Sequence, residues 1–189
     1  CGTNGMVDWM ENITIELAEE LNQKIKIAKL YCQQEKNFIK KNFQLSKIFP
    51  LNPAPMLNDQ LIEEMTNIVA LAGAEQIQEC INTGAEIILA GRTTDTAIIS
   101  ALPLMKGANP GSSWHGAKVV ECGALCSTNP TSGVVMVEFD KTGFTVEPMS
   151  KNAFCTSETV AAHMLYENAD PYILHEPGGY MDITYSNYY

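Results

Sequence analysis

The stretch that most limits what this chain can fold into is "AEIILAG" followed at once by "RTTDTAII", residues 85–99. Four small or apolar residues bounded by a glutamate and a glycine have the length of a short buried strand. The period then switches to helical over 93–105, where Ala97, Ile98, Ala101 and Leu102 share a face and Thr93 or Thr94 can cap the start. A strand that feeds directly into a helix is the repeating step of α/β folds. In open α/β sheets ligands settle beyond the carboxyl ends of the strands, where helix N-termini supply unpaired N–H groups. Gly91, Arg92, Thr93, Thr94 and Asp95 fall at such a junction. Arg92 can clamp a carboxylate or phosphate with two parallel hydrogen bonds, and Asp95 adds about 0.3–1 kcal/mol in a first helical turn. The same residues also make an ordinary helix start, with an internal Arg92–Asp95 pair and a threonine cap. Spacing does not choose between the two.

Elsewhere the elements alternate in the same way. "MVDWMENITIELAEELN" repeats Met10, Ile13, Leu17 and Leu21 at helical spacing, so a helix starts at about residue 7 behind the glycine-bearing "CGTNG". "KIKIAKLYC" at 24–32 alternates as a strand with one wet face. Residues 33–47 are polar and fit either state. The prolines of "FPLNPAPMLND" exclude helix and inner strand over 49–59. Asn58 or Asp59 caps a helix expected over 60–72 and ended by Gly73; another, over 74–83, stops at Gly84. Further helices are expected over 115–126 and 156–167, with a hairpin around "DKTG" between them. The architecture read from this order is α/β: a mixed sheet with helices on its faces, Rossmann-like elements and an added β-hairpin. It forms one domain, or two closely packed subdomains meeting near 126–132.

Composition narrows the function classes. A chain of 189 residues with 46% hydrophobic and 18% charged content is an ordinary globular one. Its net charge of −10, with 12 lysines and arginines in all, argues against nucleic acid, because phosphate neutralisation needs clustered basic residues. The run "KNFIKKNF" reads as a solvated face. No apolar stretch approaches the roughly 20 residues of a membrane span. The six cysteines are irregularly spaced, which speaks for reduced thiols and a cytoplasmic setting. Cys122 and Cys126, without a second pair, read as small core residues rather than a zinc site, so no metal is expected. The chain opens on Cys1 and closes on "YSNYY", which reads as an internal piece of a longer protein.

Four other places have residue types that do chemistry or bind. In "HGAKVVECGALC", residues 115–126, a helix would put Lys118, Glu121 and Cys122 on one side. A glutamate among Val119, Val120 and Ala124 could be buried enough to act as acid or base near neutrality. The competing reading is an exposed Lys118–Glu121 pair with two core cysteines, and His115 as a neighbour of the helix cap. His163 stands among core residues, where a lone histidine is usually structural. "EPGG" at 176–179 lets backbone approach a ligand or simply turns. The Gly2–Gly5 loop resembles an anion cradle but lacks a full dinucleotide fingerprint.

"GAEIILAGRTTDTAIISALPLMKG", "VVECGA" and "TVAAHMLYENADPYILHEPGG" together resemble successive blocks of the acyclic terpene utilisation (AtuA-like) family. The family is named for its gene neighbourhood in bacterial catabolism of citronellol-like and geraniol-like compounds, not for a reaction. The resemblance implies a chain longer at both ends and marks Gly91, Arg92 and Asp95, then Glu121, Cys122 and Gly123, with His163 as a further position. The expectation drawn from both readings is a lyase- or hydratase-type enzyme acting on a branched or short acyl substrate, as free carboxylate or CoA thioester. Arg92 would hold the anion with Gly91, Thr93, Thr94, Gly123 and His163 around it, Asp95 would orient Arg92 or a water, and Glu121 would be the acid or base beside Cys122. No cofactor is required by the sequence. The alternative is a non-catalytic binding or assembly subunit, as a homo-oligomer or with a small partner.

Overall fold

The computed structural model describes residues 6–51 and 53–189, so the Gly2–Gly5 loop lies outside the described residues. The fold is of the mixed α/β class. Its contacts divide the chain into one unit of Cys1–Leu71 with Gly84–Arg92 and a second of Ala72–Thr83 with Thr93–Tyr189. The boundary expected near 126–132 falls inside the second unit. Among the described residues the strands form three two-stranded ladders, one parallel and two antiparallel.

In the first unit, β1 (Ile27–Leu30) and β2 (Ile87–Ala90) pair in parallel, Ile27 opposite Ile87 and Leu30 opposite Ala90. Helix α1 (Val7–Glu20) packs on both strands and buries Val7 and Ala18. Lys29 explains the wet face of β1, because it bridges to Asp8 and Glu11 of α1. The ambiguous 33–47 segment contains α2 (Lys36–Gln44), which packs on α3 (Asp59–Glu64) and joins it through a Lys40–Glu63 ion pair. The described residues of the proline-rich segment between them carry neither helix nor strand, as its prolines require.

Helix α3 is much shorter than the expected 60–72. Asn58 caps it by accepting from the Leu61 N–H, but Met65 is already extended. Tertiary pairing takes over from there: Val69 bridges Gln33, the Ala70 N–H donates to the Cys32 carbonyl at 2.8 Å and the Gln34 N–H to the Ile68 carbonyl at 2.8 Å. Thr66, Ile68 and Val69 are β-branched and accept this extended state readily. Gly73 accordingly opens the next helix instead of ending this one.

The second unit is built around α6 (Pro110–Val120), whose residues from His115 to Val120 are all buried. Helix α5 (Asp95–Met105) packs on α6 and on α4 (Ala74–Asn82). The hairpin of β3 (Val135–Phe139) and β4 (Phe144–Pro148) lies against α6, Val135 facing Pro148 in register. Helix α7 (Ser157–His163) and the hairpin of β5 (Ile173–Glu176) and β6 (Gly179–Asp182) complete the unit. Its core contains Val119, Val120, Cys126, Val160, Met164 and Leu174. Gly116 makes the helix–hairpin approach feasible, since a Cβ there would stand 2.6 Å from a Phe139 ring carbon and 2.9 Å from Phe144 Cγ.

The bounds of two expected helices move. Helix α6 begins five residues before 115 because Asn109 caps it, accepting from the Ser112 N–H, and Pro110 fits the first turn without losing a hydrogen bond. It ends at Val120, and Gly123–Cys126 forms a separate 3-10 turn, since Gly123 adopts φ +60°. His115 is therefore a mid-helix residue and not a neighbour of the cap. Helix α7 stops at His163 rather than 167, where Glu167 takes φ +59°.

Candidate functional site

The second unit gathers a polar cluster at the start of α5, the end of α6, the end of α7 and the end of β5. Thr94 caps α5, its hydroxyl accepting from the Ala97 N–H at 3.1 Å. The cap fixes the first turn, and Thr96, 3% exposed, donates its hydroxyl to Glu121 Oε2 at 2.5 Å. The other oxygen, Oε1, accepts from the Lys118 ammonium three residues earlier on α6. Both side chains are buried, 10% exposed for Lys118 and 4% for Glu121, so the expected surface pair is in fact an internal one. A charge pair out of water tolerates its desolvation only when its hydrogen bonds are met, and here Thr96 meets one of them.

His163 closes the cluster from α7. Its ring stacks on Tyr166, centroids 5.6 Å apart and planes 15° off parallel, and it hydrogen-bonds to the Lys118 backbone. Its Nε2 is buried without a hydrogen-bond partner. Burial, and then the Lys118 charge, lower the pKa of the ring and keep it neutral. Cys122, partly buried, has its thiol pushed up by burial first and then by the Glu121 and Glu167 carboxylates, which makes it a poor nucleophile.

Glu176, the last residue of β5, is the second carboxylate of the cluster. Burial raises its pKa; the Thr94 and Thr96 hydroxyls pull the other way, and the Glu121 charge raises it again. Its Oε2 is buried and has no hydrogen-bond partner. Glu176 also lines a cleft of about 1000 Å³ whose walls belong entirely to the second unit. Glu121, Cys122, His163 and Asp95 do not line it. Glu176 thus has one side toward the buried ion pair and the other toward open space. Among the described residues no group of three or more His, Cys, Asp or Glu side chains is placed to hold a metal ion.

A family model described as the acyclic terpene utilisation family protein AtuA matches residues 7–187. The chain belongs to this family. Searches of curated proteins and of solved structures return no match. No helix among the described residues of this family member is long and apolar enough to cross a membrane.

The acyclic terpene utilisation fold brings together, of the positions singled out in the sequence, Glu121, Cys122, His163 and the Thr94 cap, with Asp95 near enough for its charge to act on the Cys122 thiol. Arg92 is the last residue of the first unit, exposed beyond the carboxyl end of the parallel strand β2. Asp95 is exposed in the first turn of α5. Gly91 donates to the Leu30 carbonyl at 2.9 Å and abuts Cys32, whose Cβ would lie 3.2 Å from an added Cβ. Gly123 meets the Gly133 carbonyl, 2.5 Å from where a Cβ would stand. Thr93 is fully buried with an unpartnered hydroxyl oxygen, in a short bridge to Ala72. Thr96 and Glu176 were missed as site residues. Thr96 lies in the strand-to-helix junction itself, and Glu176 precedes a double glycine that reads as a turn.

Proposed function

We propose that this protein is an enzyme of acid/base chemistry, lyase or hydratase in type, acting on a branched or short acyl compound. The single observation that carries the reading is Glu176, a carboxyl with an unpartnered buried oxygen that borders the cleft and backs onto the Lys118–Glu121 pair. The acid or base role expected of Glu121 passes to Glu176, because of these two only Glu176 lines the cleft. A carboxyl whose pKa is raised by burial holds its proton closer to neutrality and can lend it to a carbonyl or leaving oxygen. Glu121, fixed by Lys118 and Thr96, acts through it as a positioning residue: its charge holds the Glu176 proton in place.

A panel of short and branched acyl esters, thioesters and hydroxyacids offered to the full chain tests this. Glu176→Gln is expected to lower kcat by about 10²–10⁴-fold with little change in KM, and Glu121→Gln, by removing a charge that raises the Glu176 pKa, to move the alkaline limb of the pH–rate profile to lower pH. Wild-type turnover in Glu176→Gln refutes the assignment. The second reading, a non-catalytic assembly subunit, draws on the exposed Trp9 and Leu17 along α1 and Leu21 just past its end, 57%, 52% and 67% exposed. It predicts co-purification with a partner chain and turnover in neither protein alone.

A further inference from the structure

The cleft beside Glu176 has a charge pattern that the proposed function does not use. Among the described residues that line it, none is a lysine or an arginine, while Glu75, Asp140, Glu176 and Asp182 are all present. The two aspartates are locked as anions by their own turns. Asp140 Oδ1 accepts from the Thr142 and Gly143 N–H groups at 2.6 and 2.7 Å, and Asp182 Oδ1 from the Thr184 N–H and hydroxyl at 2.9 and 2.6 Å. The one histidine on the wall, His115, is bonded through Nε2 to the Tyr188 hydroxyl at 3.1 Å, and burial holds its pKa down to about 4, so it supplies no positive charge at neutral pH. Much of the remaining wall is aromatic or apolar: Trp114, Phe144, Tyr180, Met181 and Tyr188. An anion entering here would meet carboxylates with no compensating cation and would lose its hydration as well.

We propose that the cleft takes an uncharged, oxygen-bearing small molecule with an apolar body and rejects the matching carboxylate. The aromatic wall receives the apolar body. Glu176 on the cleft wall can hydrogen-bond to an uncharged carbonyl, hydroxyl or amide group, whereas an entering carboxylate would face Glu75, Asp140 and Asp182 with no cation to compensate it. The choice of an uncharged carbonyl group rests on the proposed acid/base function, and it narrows the ligand of the cleft to ester, thioester, amide or alcohol rather than free acid.

The test is a binding series on the full chain. Trp114 lines the cleft and Trp9, the other of the two tryptophans, is exposed on α1, so Trp9→Phe leaves Trp114 as a local fluorescence reporter. Octanamide, octanoate and octylamine are titrated into this protein at neutral pH. Octanamide is expected to bind at least tenfold more tightly than octanoate. Thr145→Lys, at an exposed position on the cleft wall, is expected to erase most of that preference by supplying the missing cation. Octanoate binding as tightly as octanamide, octylamine binding more tightly than both, or no response to any of the three overturns the proposal. Its failure is distinguishable from that of the enzymatic reading: equal octanamide and octanoate affinities with inactive Glu176→Gln sink the selectivity alone, whereas intact selectivity with fully active Glu176→Gln sinks the acid/base role alone.

Discussion

At the scale of single residues, Glu121 is held by a bargain between desolvation and pairing. Its side chain is 4% exposed, and its two oxygens are taken by Lys118 and Thr96. Breaking such a pair from one side is much worse than replacing both members, because it strands a buried charge. Lys118→Met is therefore expected to lower unfolding stability by about 3–5 kcal/mol, and the double variant Lys118→Met/Glu121→Leu to recover most of it. Urea unfolding midpoints with unchanged slopes would measure both; a single-variant cost near zero would mean that water reaches the pair. Lys118 and Glu121 were legible together in the sequence because a three-residue spacing on a helix makes neighbours. Their burial was not, since it depends on α5 and α7 arriving from elsewhere in the chain. Glu176 was hidden for the same reason: locally it reads as a polar residue before a Pro-Gly-Gly turn, and only the tertiary fold puts Thr94, Thr96 and Glu121 around it.

Among the elements, those with strong local signals came out where the sequence placed them. The strand at 87–90, the Thr94 cap, the hairpin at 135–148 and the loop of prolines each follow from residues that act within a few positions of themselves. The expectations that moved, at 65–72 and at the start of α6, turn on competition between local preference and a distant partner, or on a cap taken too late. Helix α6 carries a second constraint of this kind. Gly116 costs the helix about 1 kcal/mol relative to alanine by propensity alone, so an exposed glycine there would be improved by substitution. Here the added methyl would collide with Phe139 and with Phe144 Cγ, an atom too close to its own backbone to swing aside. Gly116→Ala is accordingly expected to destabilise by about 1–3 kcal/mol in spite of the propensity gain. Thermal unfolding would show a stabilised variant instead if the hairpin can lift off α6.

For the whole molecule, the buried titratable groups set how stability answers to pH, and they act in opposite directions. His115 has its pKa lowered from 6.5 to about 4 by burial. In the unfolded chain it protonates as the pH falls through about 6.5, whereas in the folded chain it stays neutral until about 4, so its contribution is complete above 6.5 and is lost between the two values. His163, also lowered by burial, has the same sign. Glu176 has the opposite one: its raised pKa stabilises the fold at low pH, and that contribution is lost as the pH rises through its folded value. The aspartates tied into turns, such as Asp140 and Asp182, have lowered pKa values and lose their contribution only in more acidic solution. Between pH 7 and pH 4 the histidine effect is isolated by difference. His115→Gln cannot gain the charge and keeps a hydrogen-bonding group toward Tyr188. Whatever the variant costs at pH 7, that cost is constant with pH, so the unfolding free energy of the wild type should fall relative to the variant by up to about 3 kcal/mol over this range, at 1.36 kcal/mol per pKa unit. Curves that run parallel from pH 7 to pH 4 would show that His115 is protonated in the folded state as easily as in the unfolded one, and the cleft wall would then carry a positive charge in mildly acidic solution.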